Sequence, residues 1–191
     1  MRVLGIDVGL TGAVALVEDG RLVWVEDMPT ATPERSKKYA LDVAAFANLL
    51  WSVPVDAVAL EKQSAAPGQG LGSTFKLGWQ AGLIEGLARG RGMDVHLIQP
   101  GVWKAALRLG SDKGISRVAA RKLWPASKDF ERKKDHGRAE AALLAWWYER
   151  VHSWARATDA KQIKRADGLH REFMQVQDEF VELARAREAV A

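Results

Sequence analysis

Cysteine is absent from the 191 residues, which removes disulfides, thiolate zinc sites and cysteine nucleophiles at once. Long apolar runs are missing too. The longest stretches without a charged residue, 43–55 and 63–75, are 13 residues each, too short to span a bilayer. Met1-Arg2-Val3-Leu4-Gly5 runs straight into a strand pattern, without the apolar region and cleavage site of a signal peptide. These absences give the expectation of a soluble, cytoplasmic protein with no membrane partner. A Walker-type Gly-x-x-x-x-Gly-Lys-Ser/Thr is lacking, as is a Ser/His/Asp elbow, so neither a P-loop ATPase nor a serine hydrolase is indicated. What is present, 48% apolar and 27% charged residues, suffices for a packed core.

The net charge of +4 is small, but it is unevenly spread. Residues 103–138 hold eleven basic residues against four acids (Asp112, Asp129, Glu131 and Asp135), and the rest of the chain is slightly acidic. A positive stretch on a neutral body suits a docked polyanion, with a solvated helix of accidental bias as the alternative.

Periodicity organises the chain as βββ-α-β-α-β-α. Residues 2–8 form an apolar strand, residues 13–18 and 21–26 two more, and Asp19-Gly20 between them is a hairpin signal. Helical spacing at 41–51 precedes a strand over 55–60 that finishes at Glu61. A glycine-rich loop over 64–72 leads to a helix over 73–88, with Ser73 as its N-cap. A fifth strand over 94–98 is followed by helices at 102–107, 115–124 and 137–151. The expectation is an α/β layer fold with a five-stranded mixed sheet, its first three strands antiparallel. Residues 1–152 form this domain and 153–191 a helical extension. There Leu169, Phe173, Val176, Phe180 and Leu183 make a heptad seam, either packed on its own domain or dimerising. Trp103, Trp124, Trp146 and Trp147 read as packing residues, the last two with a dimer surface as the alternative.

Two strands end on a lone acid. Asp7 is flanked by Gly5, Ile6 and Val8, and Glu61 closes Ala57-Val58-Ala59-Leu60. A carboxylate carried into a sheet interior is costly unless paired, hydrogen-bonded or bound to metal. Glu140 is a third such acid, on a helix of small apolar residues. For a fourth ligand, His136 lies at i−4 from Glu140 on the same side. Asp135 falls roughly 140° away in an ideal helix but reaches the site if it precedes the helix. Carboxylate oxygen is the better match for magnesium, so both stay open. Acids around two ions about 4 Å apart are equipped to hydrolyse a phosphodiester. The alternative has Asp7 and Glu61 capping turns and Glu140 paired with Arg138 or Lys134.

Leu4-Gly5-Ile6-Asp7-Val8-Gly9 followed by Thr11-Gly12-Ala13 resembles the opening of RuvC-type Holliday junction resolvases of the ribonuclease H-like superfamily. Glu61 matches the family's second acidic motif, and Ser73-Thr74-Phe75-Lys76-Leu77-Gly78 resembles the helix after it. Pro100, Trp103-Lys104 and Asp112-Lys113 look like the segment beyond the fifth strand. Lys133-Lys134-Asp135-His136-Gly137-Arg138-Ala139-Glu140-Ala141 is similar to the closing motif in phage and prophage relatives. The resemblance covers residues 1–150 in order. It departs at Gly137, where relatives carry an acid or histidine, and in the loop after Glu61, where bacterial relatives carry an aromatic wedge. Phe75 is the stand-in for that wedge here.

The resemblance implies a ribonuclease H-like fold, a homodimer, magnesium or manganese (two ions), and paired nicks in branched DNA, in a bacterial or phage-infected cell. Asp7, Glu61, Glu140 and either His136 or Asp135 would be catalytic and hold metal. Lys76, Lys104, Lys113 and Arg117, joined by Lys133, Lys134 and Arg138, would contact phosphates. Alternatives are a ribonuclease H-like nuclease on hybrid or flap substrates and a non-catalytic nucleic-acid-binding protein. Asp-x-Gly after a first strand also opens actin-like ATPases, whose two lobes need a much longer chain.

Overall fold

The structure, a computed structural model, describes residues 1–32, 39–65, 67–110 and 113–153, together with 171, 174–176, 178 and 182. Three strands open it: β1 (Arg2–Asp7), β2 (Ala13–Glu18) and β3 (Arg21–Asp27). They pair antiparallel as a meander. Asp19 and Gly20 both take positive φ (52° and 81°), the geometry that two-residue hairpin turns require. Glu149 clasps this turn from across the fold, accepting hydrogen bonds from the Asp19 amide at 2.6 Å and the Gly20 amide at 2.8 Å.

Two short strands, β4 (Thr30–Ala31) and β5 (Ala40–Leu41), pair with each other, where the sequence reads as loop and helix start. Leu41 thus belongs to a strand, and helix α1 (Val43–Trp51) begins after Asp42, whose side chain accepts from the Ala45 amide. That cap fixes a boundary that apolar spacing alone places two residues early. Beyond α1 lie β6 (Ala57–Glu61), α2 (Leu71–Gly90) and β7 (Val95–Ile98). Then come α3 (Pro100–Ala106), α4 (Lys113–Leu123), a single 3-10 turn at Lys133–Asp135 and α5 (His136–Ser153). Ser73 is not the N-cap of α2. Gly70 takes that place, its carbonyl accepting from the Ser73 and Thr74 amides, so the glycine-rich loop is shorter than its composition implies.

The main sheet has the order β3-β2-β1-β6-β7, with β1, β6 and β7 parallel. Alternate residues face opposite sides of it. Leu4, Ile6, Val58 and Leu60 join one core with Phe46 of α1 and Ile84 of α2. Val3, Ala57 and Ala59 join the other, with Trp103, Ala119 and much of α5. The helix α5 lies directly on β1. A Cβ built at Gly5 would run into the Ala141 carbonyl oxygen and sit 2.9 Å from Ala145 Cβ, so only glycine permits this approach. Trp146 and Trp147 are core residues here, as are Trp103 and Trp124. Of the C-terminal seam, Val176 is helical and packs partly buried on the α5-side core. Leu169, Phe173, Phe180 and Leu183 lie outside the described residues. Among the described residues no helix is long and apolar enough to cross a membrane.

Candidate metal-binding active site

The parallel pairing of β1 with β6 sets Ile6 opposite Leu60, so Asp7 and Glu61 follow side by side at the strand ends. Both belong to the alternation that faces α3, α4 and α5. The first turns of α5 bring Glu140 over the same edge, and ligand oxygens of Asp7, Glu61 and Glu140 all lie within 4.8 Å of one another. Gly137 makes this possible. A Cβ there would sit 3.2 Å from Asp7 Oδ2, 3.1 Å from Gly12 Cα and inside contact distance of the Thr11 carbonyl oxygen. The helix end lies flat on the Thr11–Gly12 backbone, leaving no room for a side chain at position 137.

Other groups hold the acids in place. Trp103 Nε1 donates to Glu61 Oε1 at 3.2 Å, and Gln63 Nε2 donates to Glu61 Oε2 at 3.4 Å. Lys104 Nζ donates to Glu140 Oε2 at 2.8 Å, stands 3.9 Å from Glu61 Oε1, and rests over the Trp103 ring. Ser116 donates to Glu140 Oε1 at 3.3 Å. Burial pushes the Glu61 carboxyl above its ordinary pKa; Lys104 and the Trp103 hydrogen bond oppose this, and Glu140 adds to it. The donor set is all carboxylate oxygen, which suits a hard divalent cation. Lys104 already acts as a stand-in cation among the acids. The residues present therefore fit such an ion.

Asp135 and His136 are not in this cluster. Asp135 is buried and turned to Arg132, accepting from its backbone amide at 2.7 Å and from Nε at 2.9 Å. Burial works against the ionised form of Asp135, but these hydrogen bonds outweigh it and hold the pKa below the usual value. His136 is the half-buried first residue of α5.

Comparison with known proteins places this architecture. No protein-family model matches the chain. A Thermus thermophilus RuvC structure, solved in complex with a Holliday junction substrate, superposes with a TM-score of 0.55 at 22% identity, covering 79% of this chain and 96% of that one. The chain has the RuvC-type, ribonuclease H-like fold. The chloroplastic Holliday junction resolvase MOC1 of Chlamydomonas reinhardtii is 32% identical over 150 residues, 65% of this chain. The chain spans only 17% of the length of that curated relative.

Within this RuvC-type core the expected phosphate contacts are dispersed. Lys76 is exposed on α2, and Lys133 and Lys134 are exposed in the 3-10 turn before α5. Arg117 donates to the Glu131 carbonyl at 3.1 Å. Arg138 grips Asp27, with Nη2 donating to Oδ2 at 3.0 Å, and also reaches Asp129. Lys104 is drawn inward to the acids. Lys113 opens α4, its side chain outside the described set, and Asp112 lies outside it altogether. Phe75 is 75% exposed on α2. Trp103, Gln63 and Ser116 escaped sequence reasoning as site residues. The one available signal was an indole adjacent to Lys104, which reads equally as a packing residue.

Proposed function

We propose that the chain is a metal-dependent endonuclease that cuts phosphodiester bonds in branched DNA, resolving four-way junctions by paired nicks. The observation that supports this best is the gathering of Asp7, Glu61 and Glu140, from two strand ends and a helix, within 4.8 Å. Asp7, Glu61 and Glu140 would hold magnesium or manganese, two ions in this reading. Divalent ions so held supply an acidified water and stabilise charge at the phosphate. The chain's own part is positional. The Trp103 hydrogen bond orients Glu61, and Gly137 lets α5 carry Glu140 close to Asp7. Lys104 offers a positive charge beside the scissile phosphate. Exposed Lys76, Lys133 and Lys134 serve as contacts along the duplex arms, positioning DNA without reading sequence. His136 or Asp135, at the entrance of α5, would complete the shell. Paired nicks require two such sites, and a homodimer supplies them.

The test is cleavage of labelled four-way junction, flap, RNA–DNA hybrid and linear duplex with magnesium or manganese. Junction cleavage by symmetric nicks, abolished in Asp7→Asn, is expected. Cleavage confined to the hybrid, or nicking that persists in Asp7→Asn, overturns the reading.

A further inference from the structure

Among the described residues two other than glycine take a positive φ, Asp19 (52°) and Arg108 (50°). Asp19 belongs to the two-residue hairpin turn, where a short polar side chain is well tolerated. Arg108 has no such account. It follows the end of α3, which closes as a Schellman motif: the Arg108 amide donates to the Ala105 carbonyl at 3.0 Å, and the Leu109 amide to the Lys104 carbonyl at 2.8 Å. Leu109 shares a buried cluster with Trp103, the apolar contact that accompanies this motif. The fold thus requires a left-handed backbone at position 108. Helices most often place glycine there, because a Cβ crowds the following carbonyl oxygen.

Nothing in the monomer favours arginine over glycine at this position. The side chain is exposed, and among the described residues its guanidinium has no hydrogen-bond or ion-pair partner. The helix dipole adds little, since its pull falls off within one turn and Lys104 already stands in the last turn of α3. What the position offers is nearness to the acids. Lys104, four residues earlier, donates to Glu140 Oε2 at 2.8 Å, and Ser116, eight residues later, donates to Glu140 Oε1 at 3.3 Å. The connection that carries Arg108 is therefore tied at both ends to elements that touch a metal ligand.

We propose that Arg108 is a substrate-binding residue, gripping a backbone phosphate of the strand being cut close to the scissile one. One helical turn separates Arg108 from Lys104, about 6 Å of rise, or roughly two nucleotides at about 3.4 Å per nucleotide along a strand. A guanidinium suits this place because its planar fork takes a phosphate with two parallel hydrogen bonds. The inference rests on the endonuclease reading above and adds to it a contact near the reacting bond.

Arg108→Gly separates binding from folding, because it relieves the backbone while removing the contact. Its Tm should hold or rise. Binding to a labelled four-way junction is read by fluorescence anisotropy in an Asp7→Asn background, so that no strand is cut. There Arg108→Gly should weaken affinity by on the order of 10-fold, as for one lost hydrogen bond to a charged group. The slope of log Kd against log salt should fall by about one for each protomer bound. Arg108→Lys keeps the charge without the fork, and should restore the slope but only part of the affinity. Arg21→Gln, an exposed arginine at the opposite end of the sheet from Asp7, removes a charge as a control and should leave the slope unchanged. Unchanged affinity and slope in Arg108→Gly overturn the proposal while the endonuclease reading stands. So does weaker binding matched by a falling Tm, which would assign Arg108 a structural role. A wild-type chain that neither binds nor cuts the junction overturns both.

Discussion

Replacing Gly137 by alanine tests how closely α5 must sit on the strand that bears Asp7. The new methyl would lie 3.1 Å from Gly12 Cα and 3.2 Å from Asp7 Oδ2, and would overlap the Thr11 carbonyl oxygen. The opposing backbone is held: the Gly12 amide donates to Gly9 at 3.1 Å, and the Gly12 carbonyl accepts from Met28 at 2.9 Å. Relief therefore comes from α5 backing away, and Glu140, one turn along, travels with it. Overpacking of this kind costs about 1–3 kcal/mol. Alanine returns at most about 1 kcal/mol of helix propensity. The net loss, on the order of 1–2 kcal/mol, lowers Tm by about 2–8 °C for a chain of this size. On the proposed function, a shift of about 1 Å at Glu140 should lower junction cleavage by roughly 100-fold. Thermal melts, cleavage rates and magnesium titration calorimetry read the three effects. Gly101→Ala is the control, since a Cβ there meets nothing within 4 Å. A Gly137→Ala variant that melts at or above wild type and cleaves normally would refute the close seating of α5.

Arg138 holds Asp27 below its ordinary pKa of 3.8, chiefly through its hydrogen bond, so the stability this pair adds is present above that value and lost as pH falls through the lower folded one. Asp27→Asn should flatten the acid limb of Tm against pH, and parallel limbs would count against the pairing. Glu149→Gln presents an amide donor to one of the Asp19 and Gly20 amides, costing about 1–3 kcal/mol in urea unfolding. Because burial raises the Glu149 pKa above 4.5, its favourable share is full below that value and declines as pH rises through the folded one, so the gap between wild type and variant should narrow with pH. Trp103→Phe keeps most of the packing but removes the donor to Glu61. Manganese affinity measured by calorimetry should fall several-fold, about what one lost hydrogen bond to a charged group entails. The fall should be larger at lower pH, where Glu61 protonates more readily. An affinity unchanged at every pH would show that this hydrogen bond does not prepare the carboxylate.

Lone acids in apolar strands made Asp7 and Glu61 legible, because a charge there violates the period-two pattern and demands a partner. Glu140 stood out for the same reason on a helix of alanines. The Asp19-Gly20 hairpin was equally plain, since few residue pairs accept two positive φ values. Boundaries set by a single cap were harder. Gly70 starts α2 through its backbone carbonyl alone, leaving Ser73, a better capping side chain, inside the helix. The partners of the acids were harder still. Lys104 reaches them from α3 and Ser116 from α4, and no local spacing announces contacts made across three elements. Asp135 looked available because its neighbour Arg132 had no visible obligation until the 3-10 turn brought the two together.

The register of β1 against β6 also governs which changes of length the chain tolerates. One residue removed from Ala57–Glu61 would reverse every side chain beyond it and send Glu61 to the opposite face, among Leu60, Ile6 and the helices on that side. The connection between Gln63 and Gly70 carries no such phase, and insertions there leave Glu61 and its Gln63 hydrogen bond in place. Evolutionary drift and protein engineering alike have freedom in the linker and none in the strand.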